Sequence, residues 1–277
     1  MRAHKTIIIL TVGFLIGISV LLYPAFSSYW NSKTQSRAIV DYESVLEHLE
    51  PEDYSAIFQT AHDYNEALRA VEFPLMNYDD VPGYYDALKI EGTSIIGYVK
   101  IAKIGVELPV YHGTSDEVLN LGVGHLEGSS LPVGGESTHC VMSAHRGLPS
   151  AKLFTDLDRL EPGDTFQITV LDQVLTYQVD QIKVITPSEI GDLQIVEGKD
   201  YCTLFTCTPY GINTQRLLVR AHQVDASQRS SIYIANEAYR MDPMMVMPIV
   251  AMPFILIWLF YVCAVPVTKE SLGEEFE

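Results

Sequence analysis

Thr203-Leu204-Phe205-Thr206-Cys207-Thr208-Pro209-Tyr210-Gly211, followed shortly by Arg216-Leu217-Leu218-Val219-Arg220, is the stretch from which the rest of the chain is read. Tyr201, Thr203, Phe205 and the Leu-Leu-Val run are β-branched, aromatic or aliphatic, and Pro-Tyr-Gly-Ile-Asn between them is turn chemistry, so two strands joined by a loop are expected. A thiol then stands at the end of one strand and an arginine at the start of the next. As antiparallel neighbours they would bring sulfur and guanidinium to one rim of a sheet, with room for a substrate carbonyl between them. Such a site suits acyl transfer through a thioester.

Upstream of this pair the same alternation recurs at 97–101, 106–111, 138–143, 165–170 and 174–180, which with 201–207 and 216–222 makes seven short strands. Two short helices are expected among them, one opened by the capping box Thr114-x-x-Glu117 and one by Ser150 ahead of Leu153, Phe154, Leu157 and Leu160. The fold class is mainly β, a closed and mostly antiparallel barrel over 92–224. Before it, 36–49 and 51–71 read as helices behind a polar linker, with Tyr54, Ile57, Phe58, Ala61, Tyr64, Leu68 and Val71 at helical spacing. Residues 73–89 hold Pro74, Asp79, Asp80, Pro82 and Gly83 and read as irregular.

Both ends are far more apolar than the middle. Residues 7–26 carry no charge, follow Arg2, His4 and Lys5, and end among Tyr23, Tyr29 and Trp30, the pattern of a signal anchor with its N-terminus in the cytoplasm. A second uncharged run, 244–267, carries Trp258 and Tyr261 and reads as a second span. The expected order is an anchor (1–30), a helical appendage (31–91), the barrel (92–224), a linker (225–243), a second span (244–267) and a cytoplasmic tail (268–277). The chain is then a two-span membrane protein with its barrel outside.

The 277 residues carry 18 Lys and Arg against 35 Asp and Glu, a net charge of −17. With no basic cluster, nucleic acid is excluded as a partner. Four cysteines are too few for a disulfide scaffold. Cys263 lies in an apolar run, and Cys140 and Cys202 lie in strands, where a bridge between them stays open. Cys207 needs a base, because a free thiol with a pKa of about 8.5 is mostly protonated at neutral pH. His145 sits where a strand yields to a loop, but spacing alone does not choose it over His112, His125, His139 or His222. Nor does it choose Arg216 over Arg220, two residues on and on the same face.

Thr-Leu-Phe-Thr-Cys with Arg216 resembles the signature of the sortases, in which a Thr-Leu-x-Thr-Cys strand ends in the nucleophile and an arginine opens the next strand. The resemblance extends through Gly97-Tyr98-Val99-Lys100-Ile101, Leu108-Pro109-Val110-Tyr111-His112-Gly113 and Ser143-Ala144-His145-Arg146-Gly147. It implies His145, Cys207 and Arg216 as the catalytic residues and no cofactor; Thr206, next to the nucleophile, is placed to help shape an oxyanion site, though threonine is commonplace in strands. Cys-Thr-Pro-Tyr-Gly-Ile-Asn-Thr and Leu-Pro-x-Tyr-His-Gly are similar to the pilin-polymerising branch, class C. That implies pilin subunits with Leu-Pro-x-Thr-Gly sorting signals as substrates and a lysine amine of another pilin as acceptor. A housekeeping sortase, which anchors surface proteins to peptidoglycan, is the alternative. Class C members often carry a lid with an Asp-Pro-aromatic motif, and residues 73–89 lack that tripeptide. Three other classes compete. A zinc site from His139, Cys140, His145, Cys202 and Cys207 lacks Cys-x-x-Cys spacing. A papain-like hydrolase would place Cys before His. A non-enzymatic anchored module needs no reactive thiol.

Overall fold

In the computed structural model, which describes Arg2–Val224 and residues 253, 255, 257 and 258, the first apolar run and the polar stretch behind it form one helix, α1 (Arg2–Leu46). The expected linker and separate helix over 36–49 do not occur. Asn31 and Gln35 donate side-chain hydrogen bonds to the carbonyls of Ser150 and Leu121 in the barrel, so tertiary contacts fix polar residues that composition alone reads as loose. By length and composition α1 can cross a membrane, with a mean hydropathy of 1.6 over its most apolar window. The second span, 244–267, lies outside the described residues except for Pro253, Ile255, Ile257 and Trp258, which are helical. The chain divides into two compact units, Met1–Ser28 with Asn236–Glu277, and Tyr29–Ala235.

Helix α2 (Pro51–Arg69) begins where its sequence dictates. Pro51 occupies the first turn, Glu52 and Asp53 complement the positive helix end, and Asp53 Oδ2 accepts from Glu50 N at 3.0 Å. Phe58, Ala61, Tyr64, Asn65 and Leu68 are buried, and Asn65 exchanges two hydrogen bonds with the backbone of Leu131. The apolar stripe packs onto the barrel, as its spacing predicts.

The strands are β1 (Ile95–Ile101), β2 (Val106–His112), β3 (Val123–His125), β4 (Thr138–Ser143), β5 (Thr165–Val170), β6 (Gln173–Ile185), β7 (Asp200–Thr208) and β8 (Gln215–Gln223). They close into a barrel in the order β1-β2-β3-β4-β7-β8-β6-β5. Pairing is antiparallel except at β2–β3 and β4–β7. Strand β3 was not legible in the sequence, because three residues are too few to show alternation. It runs parallel to β2 after the crossover helix α3 (Asp116–Leu121), which is capped by Ser115 Oγ accepting from Val118 N rather than by Thr114.

The helix expected after Ser150 is replaced by turns and a 3-10 turn at Leu157–Arg159. Leu153 adopts φ +41, and Phe154 N donates to His145 O at 3.1 Å, which commits that amide outside any helix. Leu153, Phe154, Leu157 and Leu160 are nevertheless buried, so the apolar pattern marked the core correctly and the conformation wrongly. Strand β4 is buried along its whole length, because both of its faces are covered.

Candidate active site

Strand register assembles the site. Parallel β4 and β7 set Ser143 opposite Phe205, the last pair of their ladder, and His145 follows two residues beyond Ser143 as Cys207 follows two beyond Phe205. Antiparallel β7 and β8 set Cys207 directly opposite Arg216, which in turn pairs with Ile185 of β6. Paired residues share a face and the face alternates along each strand, so Cys207 and Arg216 form one row on the outside of the barrel, and His145 follows the end of the neighbouring strand β4. The next row is Ser143, Phe205 and Leu218, followed by Val141, Thr203 and Arg220. On the opposite face Cys140, Cys202, Leu204 and Val219 belong to the core.

Beside the Cys207 row lies an apolar floor of Val141, Ile185, Leu193 and Leu218, flanked by Leu126 and Phe205. Leu75 packs on this floor. It comes from the irregular segment after α2, where Phe73 is turned to φ +54 and Pro74 is buried. The chain passes so close to the loop after β3 that a Cβ on Gly128 would lie 2.5 Å from Pro74 O, and Gly128 is itself at φ +79. Further on, Tyr84 ties the segment down. Its hydroxyl meets His125 Nδ1 at 2.8 Å, donates to His125 O at 3.0 Å and accepts from Gly113 N at 3.0 Å. Residues 73–84 thus form a strap tied to this floor by Leu75 and to β3 by Tyr84, and they contain no Asp-Pro-aromatic tripeptide.

The histidines that spacing left open now separate. His125 is buried between Tyr84 and the carbonyl of Ser130. His139 has both ring nitrogens engaged, at 2.8 Å each, by Gln194 O and Thr203 Oγ1, and burial holds its pKa down at about 4. Burial likewise holds His112 at about 4, its ring edge-on to Tyr84. His222 lies 3.8 Å from Asp180. His145 is the one that follows the end of β4, beside the strand that carries Cys207.

Among the arginines, Arg220 is spent. Its Nε and Nη2 bind both oxygens of Asp180, at 2.9 and 3.2 Å, and its guanidinium lies 4.4 Å from the Tyr201 ring centroid. Arg216 Nη1 donates to the carbonyls of Asn213 in the preceding loop and of Gln215, its neighbour in β8. Thr206 does not face the row. It is buried and donates to Ala144 O at 2.8 Å, so its expected place beside an oxyanion gives way to a role in joining β7 to the chain beyond β4.

Cys140 and Cys202 are direct partners across β4 and β7, both buried and both free, so no bridge joins them. Burial raises the Cys202 thiol well above its ordinary value. They face the core while His139 and Cys207 face outward, so the residues of the zinc reading are not brought together. The loop after β7 folds back over the chain after His145. Gly147, at φ +75, has the Tyr210 ring 2.9 Å from where a Cβ would be. Only glycine fits there.

Comparison with known proteins points one way. A model of the sortase domain matches residues 99–224. Sortase A of Streptococcus agalactiae is 29% identical over 136 residues, 48% of this chain and 54% of that protein. Sortase D of Bacillus subtilis is 29% identical over 124 residues, 45% of this chain and 60% of that one. The matches thus span little more than half the length of these curated relatives. Among solved structures, sortase C1 of Streptococcus agalactiae superposes with a TM-score of 0.62 at 48% identity, covering 68% of this chain and 98% of that one. Sortase C of Clostridium perfringens, solved with its C-terminal cell wall sorting motif, gives 0.60 at 44%, covering 69% and 99%.

Proposed function

Since the chain belongs to the sortase family, we propose that it is a membrane-anchored cysteine transpeptidase that polymerises pilin subunits. What supports this above all is Cys207 directly opposite Arg216 across β7 and β8, with His145 two residues past the end of β4, beside an apolar floor able to seat the leucine and proline of a sorting signal. His145 takes the thiol proton of Cys207, whose Sγ bonds to the threonine carbonyl carbon of a Leu-Pro-x-Thr-Gly segment. The carbonyl oxygen takes the negative charge, and Arg216, cationic at any ordinary pH, stabilises it. As the adduct collapses, the C–N bond to glycine breaks and His145 gives the departing amine its proton. The acyl group is left as a thioester on Cys207. A lysine ε-amine of the next pilin, deprotonated by His145, attacks the thioester, the C–S bond breaks and an isopeptide bond forms. The scheme calls for no cofactor.

The family's wall-anchoring branch would share every one of these residues. The strap over the groove favours a protein acceptor, because covering the thiol until a subunit docks limits loss of the thioester to water. The resemblance to sortase C structures, among them one from Streptococcus pneumoniae described in terms of pilin substrate specificity, supports the same choice. With the Arg2 and Lys5 flank in the cytoplasm, α1 holds the barrel outside the membrane that anchors the substrates, and 244–267 returns the tail inside. Deleting the protein should leave monomeric pilin without a high-mass ladder while other sorting-signal proteins stay attached to the wall. A persisting ladder with general loss of wall anchoring would replace this reading with the housekeeping one.

A further inference from the structure

The ladder between β4 and β7 ends at Ser143 and Phe205, two residues before His145 and Cys207. Beyond it the two chains are joined by three separate bonds. Ala144 N donates to Phe205 O at 3.4 Å, Thr206 Oγ1 donates to Ala144 O at 2.8 Å, and Arg146 Nη1 donates to Thr208 Oγ1 at 3.2 Å. Arg146 and Thr208 come next after His145 and Cys207, so the last of these bonds joins the two chains one residue beyond the catalytic pair.

Arg146 is built in. Its side chain is 9% exposed, and its Nη2 is paired with Asp158 of the 3-10 turn Leu157–Arg159. Its Nε has no hydrogen-bond partner among the described residues. A guanidinium cannot shed its charge, so withdrawing it from water is costly unless its partners are fixed in place. Here they are. Leu157 and Phe154 anchor the turn in the core, and Phe154 N binds His145 O, which returns the chain to the histidine. The guanidinium thereby closes a ring through Asp158, Phe154 and His145 and ties that ring to the residue after Cys207.

We propose that Arg146, braced by Asp158, is a positioning residue that holds His145 level with Cys207 by gripping Thr208. The inference rests on the His145–Cys207 reading. A merely stabilising arginine would lower the unfolding temperature and leave the chemistry of the folded protein alone, whereas a positioning one governs proton exchange between His145 and the reacting groups.

The test uses the full chain in detergent micelles, with sorting-signal peptide cleavage and the pH profile of Cys207 alkylation by iodoacetamide, all well below each variant's unfolding temperature. Arg146→Met should lower kcat by about 10- to 100-fold with KM nearly unchanged, since a displacement of about 1 Å suffices for a loss of that size. Its alkylation profile should move toward that of His145→Ala. Thr208→Val, which keeps the shape and removes the acceptor, should move both readouts in the same direction by less, and Arg146→Lys should restore part of the loss. An Arg146→Met protein with parental kcat and alkylation profile overturns the proposal, as does Thr208→Val matching the parent in both. If Arg146→Met fails to fold, Thr208→Val alone decides. A His145→Ala protein with the parental profile would instead bring down the His145–Cys207 reading, and the role of Arg146 with it.

Discussion

Arg216 and Arg220 present the same residue type on the same face of one strand, and their surroundings separate them. A planar fork bound to both oxygens of Asp180 and stacked on Tyr201 is a structural brace, whereas Arg216 stands opposite Cys207. Arg216→Lys should therefore lower the cleavage rate by about 100-fold, because a compact ammonium does not reproduce the fork. Arg220→Lys should lower the unfolding temperature and leave the rate within about twofold in the folded protein. Peptide cleavage by both variants checks this, and a larger loss of rate in Arg220→Lys would move the assignment one pleat along the strand. The sequence could not separate the two arginines, since Asp180 lies 40 residues from Arg220 and meets it at a bulge in β6. Cys207, by contrast, was legible from its loop and from the arginine that follows. The bridge that the sequence left open between Cys140 and Cys202 is absent, both thiols being buried and free.

At the scale of elements, the strap is where sequence reading ran short. Leu75 carries no motif, and a leucine in an irregular stretch looks like any other until the floor of Val141, Ile185, Leu193 and Leu218 is beneath it. The same limit explains β3, too short for a period, and the turns after Ser150, whose amides are claimed by tertiary bonds. The seven strands that alternation did reveal all occur, and β6 extends further than its pattern suggested. If the strap shields the thiol, Leu75→Asp should speed alkylation of Cys207 several-fold and raise hydrolysis of the thioester relative to transfer, since a buried carboxylate disfavours the seated position. Alkylation kinetics read this directly, and an unchanged rate would mean the strap does not limit access. Gly147→Ala should displace Tyr210 and loosen the loop behind His145, seen as faster proteolysis near Tyr210.

For the whole molecule, buried histidines set a pH limit. His139 is held at about 4 by burial, against an ordinary value of 6.5, while the unfolded chain titrates normally. Between those two values the unfolded state takes up a proton that folded His139 refuses, so the stabilisation is complete above pH 6.5 and is lost as pH falls to about 4. The loss reaches up to about 3 kcal/mol for His139, and His112 acts in the same direction. Chemical denaturation between pH 7 and 4.5 should show the decline, and His139→Gln should flatten part of it. A parental slope in that variant would assign the decline to other groups. The topology is tested on intact wall-stripped cells, where added protease should digest the barrel and spare both termini.

In this mechanism Cys207 carries the acyl group. Incubating the full chain with a Leu-Pro-x-Thr-Gly peptide and measuring its intact mass should reveal an adduct equal to the peptide's acyl portion without the glycine. Peptide mapping should place it on Cys207, and adding a lysine-bearing pilin subunit should discharge it to the ε-amine. An adduct that persists in Cys207→Ala, or that maps to another residue, would contradict the account.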